Sequence, residues 1–189
     1  MKWYILCGGI AVAAAAFLYA CGRRRVCDTR DTVREADEID GGVRHRIDED
    51  APHVIESENI TSFELETSHF SLADVEDGGL YSMKAVLEGD SVNIKFVRRE
   101  RNGKVMSHAY VEGAEFMKKL YGIVKKYDFA QYNGKYYRVS GLPDMYGSEI
   151  HVTFDSGERI DSRDNQTPFI PVEAVRELSD LFTPKTNEN

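Results

Sequence analysis

Hydrophobic residues follow two different periods along the C-terminal two thirds of the chain. Val92, Ile94 and Phe96 alternate with polar residues, which is the two-residue period of a strand buried on one face. Residues 116–127 place their apolar side chains three and four positions apart, which predicts an amphipathic helix. Residues 171–182 repeat that helical pattern and begin with a proline, a residue well suited to a helix start.

The order of these patterns predicts an α+β domain over residues 58–185. Strands are expected at residues 60–66, 80–87, 92–96, 104–110, 150–154 and 159–162. Asn102-Gly103 is a strong hairpin signal, because a type I′ turn needs positive φ at both central residues. We therefore expect an antiparallel meander, a later hairpin and a mainly antiparallel sheet packed by two helices. Residues 186–189 are expected to fray.

The N-terminal segment carries a separate signal. Residues 3–20 contain no charged side chain, and their length suits either a short membrane span or the core of a signal peptide. The end of this segment, Leu18-Tyr19-Ala20-Cys21, resembles the bacterial lipobox, although Tyr19 replaces the usual small or β-branched residue. The resemblance implies that residues 1–20 are a signal peptide cleaved before Cys21, and that the Cys21 thiol carries a lipid such as palmitate.

An uncleaved anchor is the alternative. Arg23–Arg25 follow the apolar segment directly, and an arginine excess on that side would keep the domain in the cytoplasm. The same arginines would lie against anionic head groups next to a lipid chain. Residues 22–57 contain few large apolar residues and many acidic ones, so we expect a flexible acidic linker between the membrane and the domain.

Composition and motifs limit the chemistry. The chain has 189 residues and a formal net charge of −8, which disfavours a nucleic-acid ligand because phosphates need a basic surface. The sequence has no G-x-S-x-G elbow, no phosphate-binding glycine loop and no C-x-x-C pair. We therefore expect no cofactor and no metal site, and a binding protein is favoured over an enzyme. An unrecognised hydrolase stays the alternative of another class.

The candidate ligand-binding residues lie around the segment between Asn133 and Ser148. They are Tyr132, Tyr136, Asp144 and Tyr146. Aromatic rings beside a few polar groups form good platforms for sugars or for partner side chains. A protein or a glycan of the cell envelope is the expected ligand. His69, His108 and His151 are expected to be surface or sheet-face residues without a catalytic role.

A resemblance covers residues 60–182. It rests on the opening Ile60-Thr61-Ser62-Phe63 strand, the meander, the Lys-Lys-Tyr-Asp end of the first helix, a Tyr-Asn-Gly segment, and Val152–Glu158 before a proline-led helix. In this order of motifs the chain resembles small, uncharacterised bacterial envelope lipoproteins. That resemblance implies a lipid-anchored domain outside the cytoplasm and assigns no catalytic residue.

Overall fold

The structure is a computed structural model, and it describes residues 42–69, 78–141 and 146–185. Eight strands run in the order β1 (Val43–Ile47), β2 (Ile60–Ser68), β3 (Gly79–Glu88), β4 (Ser91–Glu100), β5 (Val105–Gly113), β6 (Lys135–Val139), β7 (Ser148–Phe154) and β8 (Arg159–Asp164). Helix α1 (Glu115–Lys126) follows β5, and helix α2 (Val172–Phe182) follows β8. A short 3₁₀ helix, Phe129–Tyr132, precedes β6.

All eight strands form one sheet in the order β1-β6-β8-β7-β2-β3-β4-β5. Every neighbouring pair is antiparallel except β6 and β8, which run parallel and share only the register pairs Tyr136–Arg163 and Tyr137–Asp164. The meander β3–β4–β5 forms one half of the sheet, and β2 connects it to the β7–β8 hairpin. The two outermost strands are therefore β1 and β5.

The core lies between one face of this sheet and the two helices. Alternate strand residues such as Leu65 and Ile150 are fully buried there, as the two-residue period requires. Phe182 at the end of α2 is the central packing residue, with its ring centroid 5.9 Å from that of Phe63 and 5.1 Å from that of Phe116. Large aromatic contacts of this kind fix the helices over the strands.

The structure confirms the α+β class, the meander over residues 80–110, the hairpin over residues 150–162 and both helices. Two strands were missed. Val43–Ile47, within the segment predicted as linker, pairs with β6, so the sheet begins before residue 58. Lys135–Val139, within the segment predicted as a loop, is β6 itself. Both strands have partners far away in sequence, so no local hairpin signal marks them.

The predicted leader, residues 1–21, lies outside the described residues, as do residues 22–41 of the predicted linker and the C-terminal residues 186–189. Among the residues that the structure describes, neither helix has the length and apolar character to cross a bilayer. The tether therefore stays a prediction from the sequence.

Candidate functional site

The sheet face opposite the helices carries rows of polar side chains, and we call it the open face. Residues that pair across strands lie on the same face, so the buried positions of each strand identify the exposed ones. One row on the open face follows the register Lys84–Glu64–His151–Asp161 across β3, β2, β7 and β8. The next row follows Glu66–Glu149–Arg163–Tyr136–Arg46, from β2 to β1.

His151 lies at the centre of a network of charged groups on this face. Its Nε2 is 2.9 Å from a carboxylate oxygen of Glu149, and its Nδ1 is 3.2 Å from one of Asp161. Hydrogen bonds to Asp161 and Glu149 raise the pKa of His151 to about 10, against the opposing effect of partial burial. His151 is therefore an imidazolium at neutral pH and cannot accept a proton as a general base would.

The carboxylate of Glu149 is held between two cations. Its second oxygen is 3.4 Å from Nε of Arg163. The hydrogen bond from His151, with a smaller contribution from the charge of Arg163, lowers the pKa of Glu149 below its usual value despite burial. The network is therefore charged throughout near neutral pH, and its geometry suits ionic recognition.

Tyr136 connects this network to the edge of the sheet. Burial, followed by the charges of Asp161 and Asp48, raises the pKa of the Tyr136 hydroxyl to about 12, so the hydroxyl stays protonated. The guanidinium carbon of Arg46 lies 6.0 Å from the centre of the Tyr136 ring, within the range of a cation–π contact. Nη1 of Arg46 is buried and has no hydrogen-bond partner among the residues that the structure describes.

Positive charge is concentrated at the end of the open face formed by β1, β6, β8 and β7. The cationic positions there are Arg44, Arg46, Arg138, Arg159, Arg163 and His151. The anionic groups there are Glu149, Asp161 and Asp48, the last of which follows β1 and acts on Tyr136, so six positive groups face three negative ones. We call this set the basic corner. In the other half of the open face Lys84, Lys95 and Arg99 are balanced by Glu64, Glu66 and Glu88.

The two arginines at the edge of the basic corner are directly opposed. Arg44 of β1 pairs in register with Arg138 of β6, which places like charges on neighbouring strands. Like charges directly opposite each other in a sheet are destabilising. The chain as a whole has a net charge of −8, so its basic corner is a local feature and not a general property of the surface.

Two buried asparagines hold the basic corner on the rest of the sheet. Nδ2 of Asn133 donates to the carbonyl oxygens of Pro52 and Arg159, both at 2.9 Å, and Oδ1 accepts the Asp161 N–H at 2.8 Å. The Asn165 amide bonds both the N–H and the carbonyl of Val139, at 2.9 and 3.0 Å. Side-chain amides thus extend the backbone ladder where β6 and β8 pair only briefly.

Two cavities lined by described residues are small. One of about 170 Å³ adjoins the basic corner and is lined by Glu66, Glu149 and Arg163 among others. Another of about 250 Å³ lies on the helical side, between residues 53–58 and α1. Sites for small molecules usually have volumes of about 300–1,000 Å³. Neither of these two cavities reaches the volume of such a site.

The structure does not bring the residues of the predicted aromatic platform together. Tyr132 packs against the core, with its ring centroid 5.0 Å from that of Phe169. Tyr136 instead lies on the open face, and Tyr146 is 46% exposed beside the start of β7. Asp144 lies outside the described residues, as does Cys21. Tyr136 lies next to the basic corner, with its ring under Arg46.

The histidines are placed in three different environments. His151 lies on a sheet face, as expected, whereas His69 is only 3% exposed at the end of β2, which the sequence did not predict. Burial lowers the pKa of His69, and neither of its ring nitrogens has a hydrogen-bond partner among the described residues. His108 stacks on Phe96 at the edge of the core. The three histidines therefore form no common site.

Sequence reasoning missed the arginines of the basic corner. The alternation in Val43-Arg44-His45-Arg46-Ile47 was a usable signal, since it is the pattern of a strand with two arginines on one face. The acidic residues on either side of this segment led instead to the prediction of a linker. Arg138 follows the same logic within β6.

Comparisons with known proteins add no relative: no protein-family model, no curated protein and no solved structure matches the chain. Within the described ranges, no three His, Cys, Asp or Glu side chains are placed to hold a metal ion. The geometry of the open face therefore carries the functional argument.

Proposed function

We propose that the protein is a membrane-tethered, non-enzymatic envelope domain that binds an acidic protein ligand through the basic corner. The concentration of cationic groups on β1, β6, β8 and β7 is the observation that carries this proposal. Partly desolvated arginines favour carboxylates, because the planar guanidinium donates two parallel hydrogen bonds to one carboxylate. A flat and charged sheet face suits a protein partner, which approaches over a broad area.

A protein is favoured over a glycan because of where the tyrosines lie. Sugar rings stack on exposed aromatic faces, but Tyr132 is packed on Phe169 and Tyr136 is half-buried under Arg46. This leaves Tyr146 as the one exposed ring among the described tyrosines of the predicted platform. The accessible groups of the basic corner are guanidinium and carboxylate groups, whose interactions are ionic and directional. The ligand is therefore expected to present Asp and Glu side chains, and its binding should weaken as salt increases.

The tether rests on the lipobox-like residues Leu18–Cys21 after an apolar segment. It is tested by the intact mass of the protein extracted from membranes, beside a Cys21→Ala variant. A chain that begins at Cys21 with added acyl mass supports lipidation. A full-length chain beginning at Met1, unchanged by the substitution, would overturn lipidation and favour the uncleaved anchor with a cytoplasmic domain.

Binding is tested by site-specific photo-crosslinking of the tethered protein in its own membrane. A benzophenone amino acid replaces Thr153, an uncharged open-face position of β7 that pairs with Arg159 of the basic corner. The matched control replaces Asn93, an open-face position in the balanced half of the sheet. We expect one discrete protein adduct from position 153 and none from position 93. An adduct from position 93 alone, or none from either, would contradict the proposal.

Charge reversal shows whether the adduct depends on the basic corner. R46E/R138E should reduce the adduct at position 153 at least tenfold. K95E/R99E makes the same change in net charge on the other half of the same face and should leave the adduct intact. Equal losses in both variants would mean that overall charge, and not the basic corner, governs binding. Thermal unfolding of each variant verifies that the fold is kept.

A further inference from the structure

Within the part of the chain that the structure describes, strand β5 is an edge strand without the usual protection. It is nine residues long, it lies at the end of the sheet, and Val105–Val111 contains no Lys, Arg, Asp, Glu or Pro. Val105 is 52% and Val111 62% exposed. Natural edge strands are commonly blunted by charged residues, prolines or bulges, because an open ladder recruits another strand. Residues 105–111 of β5 do not blunt it in any of these ways.

The hydrogen-bond register determines which backbone groups of β5 face outward. The Glu100 N–H donates to the Lys104 carbonyl at 2.9 Å, so residues 100 and 104 form a hydrogen-bonded pair of the β4–β5 ladder. Such pairs alternate along an antiparallel ladder, so residues 106, 108, 110 and 112 bond to β4. The N–H and carbonyl groups of residues 105, 107, 109 and 111 then point away from the sheet.

We propose that β5 pairs with β5 of a second copy of this chain, antiparallel and centred on His108. In that register the four outward-facing residues of one copy meet the four of the other, which gives roughly eight backbone hydrogen bonds. The facing pairs are Val105–Val111, Met106–Tyr110, Ser107–Ala109 and, at the two ends, Lys104–Glu112. The two sheets join into one continuous sheet related by a two-fold axis, which is an isologous interface.

Charge and side-chain size both favour a second copy as the partner. The oppositely charged Lys104 and Glu112 lie at the two ends of an uncharged segment, at equal distances from His108. Self-pairing therefore places Lys104 of each copy opposite Glu112 of the other and gives two ion pairs. The exposed Val105 meets the exposed Val111 on the open face, and this contact removes both from water. An arbitrary peptide strand would match neither feature. The interface uses the opposite end of the sheet from the basic corner, so both could be occupied at once.

The test is the molar mass of the full-length protein in detergent, measured by light scattering with the detergent contribution subtracted. We expect the wild type to have twice the mass of a single chain. V105K/V111K places lysine opposite lysine at two points and should give a single-chain mass. V105K/V111E places lysine opposite glutamate in the same register and should keep the doubled mass. A monomeric wild type, or a doubled mass in both variants, would overturn the proposal.

Disulfide trapping tests the register without charged substitutions. In a chain with Cys7, Cys21 and Cys27 replaced by alanine, H108C places two thiols at a non-hydrogen-bonded pair with Cα atoms about 4.5 Å apart, within disulfide range. We expect a covalent dimer on mild oxidation. S107C is the matched control, since its two copies would lie about 9 Å apart. Equal crosslinking of both variants, or none with H108C, would contradict the proposed pairing.

Discussion

Replacement of the buried Asn133 by alanine is expected to lower the free energy of unfolding by about 3 kcal/mol. Asn133 is 4% exposed, and its amide makes three hydrogen bonds of 2.8–2.9 Å. A neutral hydrogen bond contributes about 1 kcal/mol net, and a buried group left without its partner adds to the loss. The Asp161 N–H would be such a group, so about 3 kcal/mol is the lower part of the expected range.

The measurement is equilibrium urea unfolding of the purified protein, followed by far-UV circular dichroism. Tryptophan fluorescence would not report on the domain, because the one tryptophan of the chain is Trp3. In a domain of this size, a loss of about 3 kcal/mol corresponds to a fall in Tm of about 6–12 °C. The exposed Asn102 is the control: its side chain also makes two hydrogen bonds, and its replacement by alanine should cost less than about 1 kcal/mol.

A second substitution at the same position separates hydrogen bonding from packing. Asn133→Asp keeps the shape and the acceptor for the Asp161 N–H but removes both donors to the carbonyls of Pro52 and Arg159. We expect a loss at neutral pH at least as large as in the alanine variant, because a carboxylate then faces two carbonyl oxygens. The reasoning is refuted if the alanine variant at Asn133 costs no more than the one at Asn102.

Three further predictions concern His151 on the open face, Gly147 just before β7 and Gly122 in α1. Hydrogen bonds raise the pKa of His151 from 6.5 to about 10, so its stabilisation is complete below about pH 6.5 and is lost as pH rises towards 10. His151→Gln should therefore lower stability by about 1 kcal/mol near pH 6, a value that allows for solvent screening, and the difference in Tm should shrink by about pH 9.5. A difference that grows with pH would contradict this assignment. Gly147→Ala should be severely destabilising, by more than about 3 kcal/mol, because its Cβ would lie 1.6 Å from the carbonyl oxygen of Asp164. Gly122→Ala in α1 meets no atom within 4 Å and should be neutral or stabilising by up to about 1 kcal/mol in the same melting experiment.

Local patterns in the sequence were sufficient for the elements whose partners are close in the chain. The alternation of Val92, Ile94 and Phe96 identifies β4, and the hairpin expected after it is formed with β5. The type I′ turn expected at Asn102-Gly103 was wrong, because Gly103 has positive φ but Asn102 does not. Glu100 is bonded to Lys104, so the loop has three residues and the register differs by one from that of a two-residue turn. The helical spacing of residues 116–127 likewise identifies α1, although the helix begins one residue earlier, at Glu115. These predictions succeed because hairpins and amphipathic helices are specified by residues within one or two turns of each other.

The pairing of strands that are distant in the chain could not be predicted from local patterns. β1 pairs with β6 across about ninety residues, and β6 pairs with β8 in parallel, so neither pairing is marked by a turn in the sequence. The basic corner depends on those two pairings, since Arg44, Arg46 and Arg138 belong to β1 and β6. The sequence therefore indicated Tyr136 for its aromatic ring but could not place it beside Asp161 and Arg46.

The brief parallel contact between β6 and β8 gives the sheet a point of weakness. β1 and β6 pair with each other over five residues, whereas β6 and β8 share two register pairs. The attachment to β8 is supplemented by the amides of Asn133 and Asn165, by the Gly134 N–H and by the Ser162 hydroxyl. This two-stranded ribbon can peel away as a unit at a lower free-energy cost than global unfolding requires. Three arginines belong to the ribbon, whereas Glu149 and His151 belong to β7 in the rest of the sheet. A partner that contacts both the ribbon and β7 would therefore stabilise the closed sheet, and part of its binding free energy would offset this local opening.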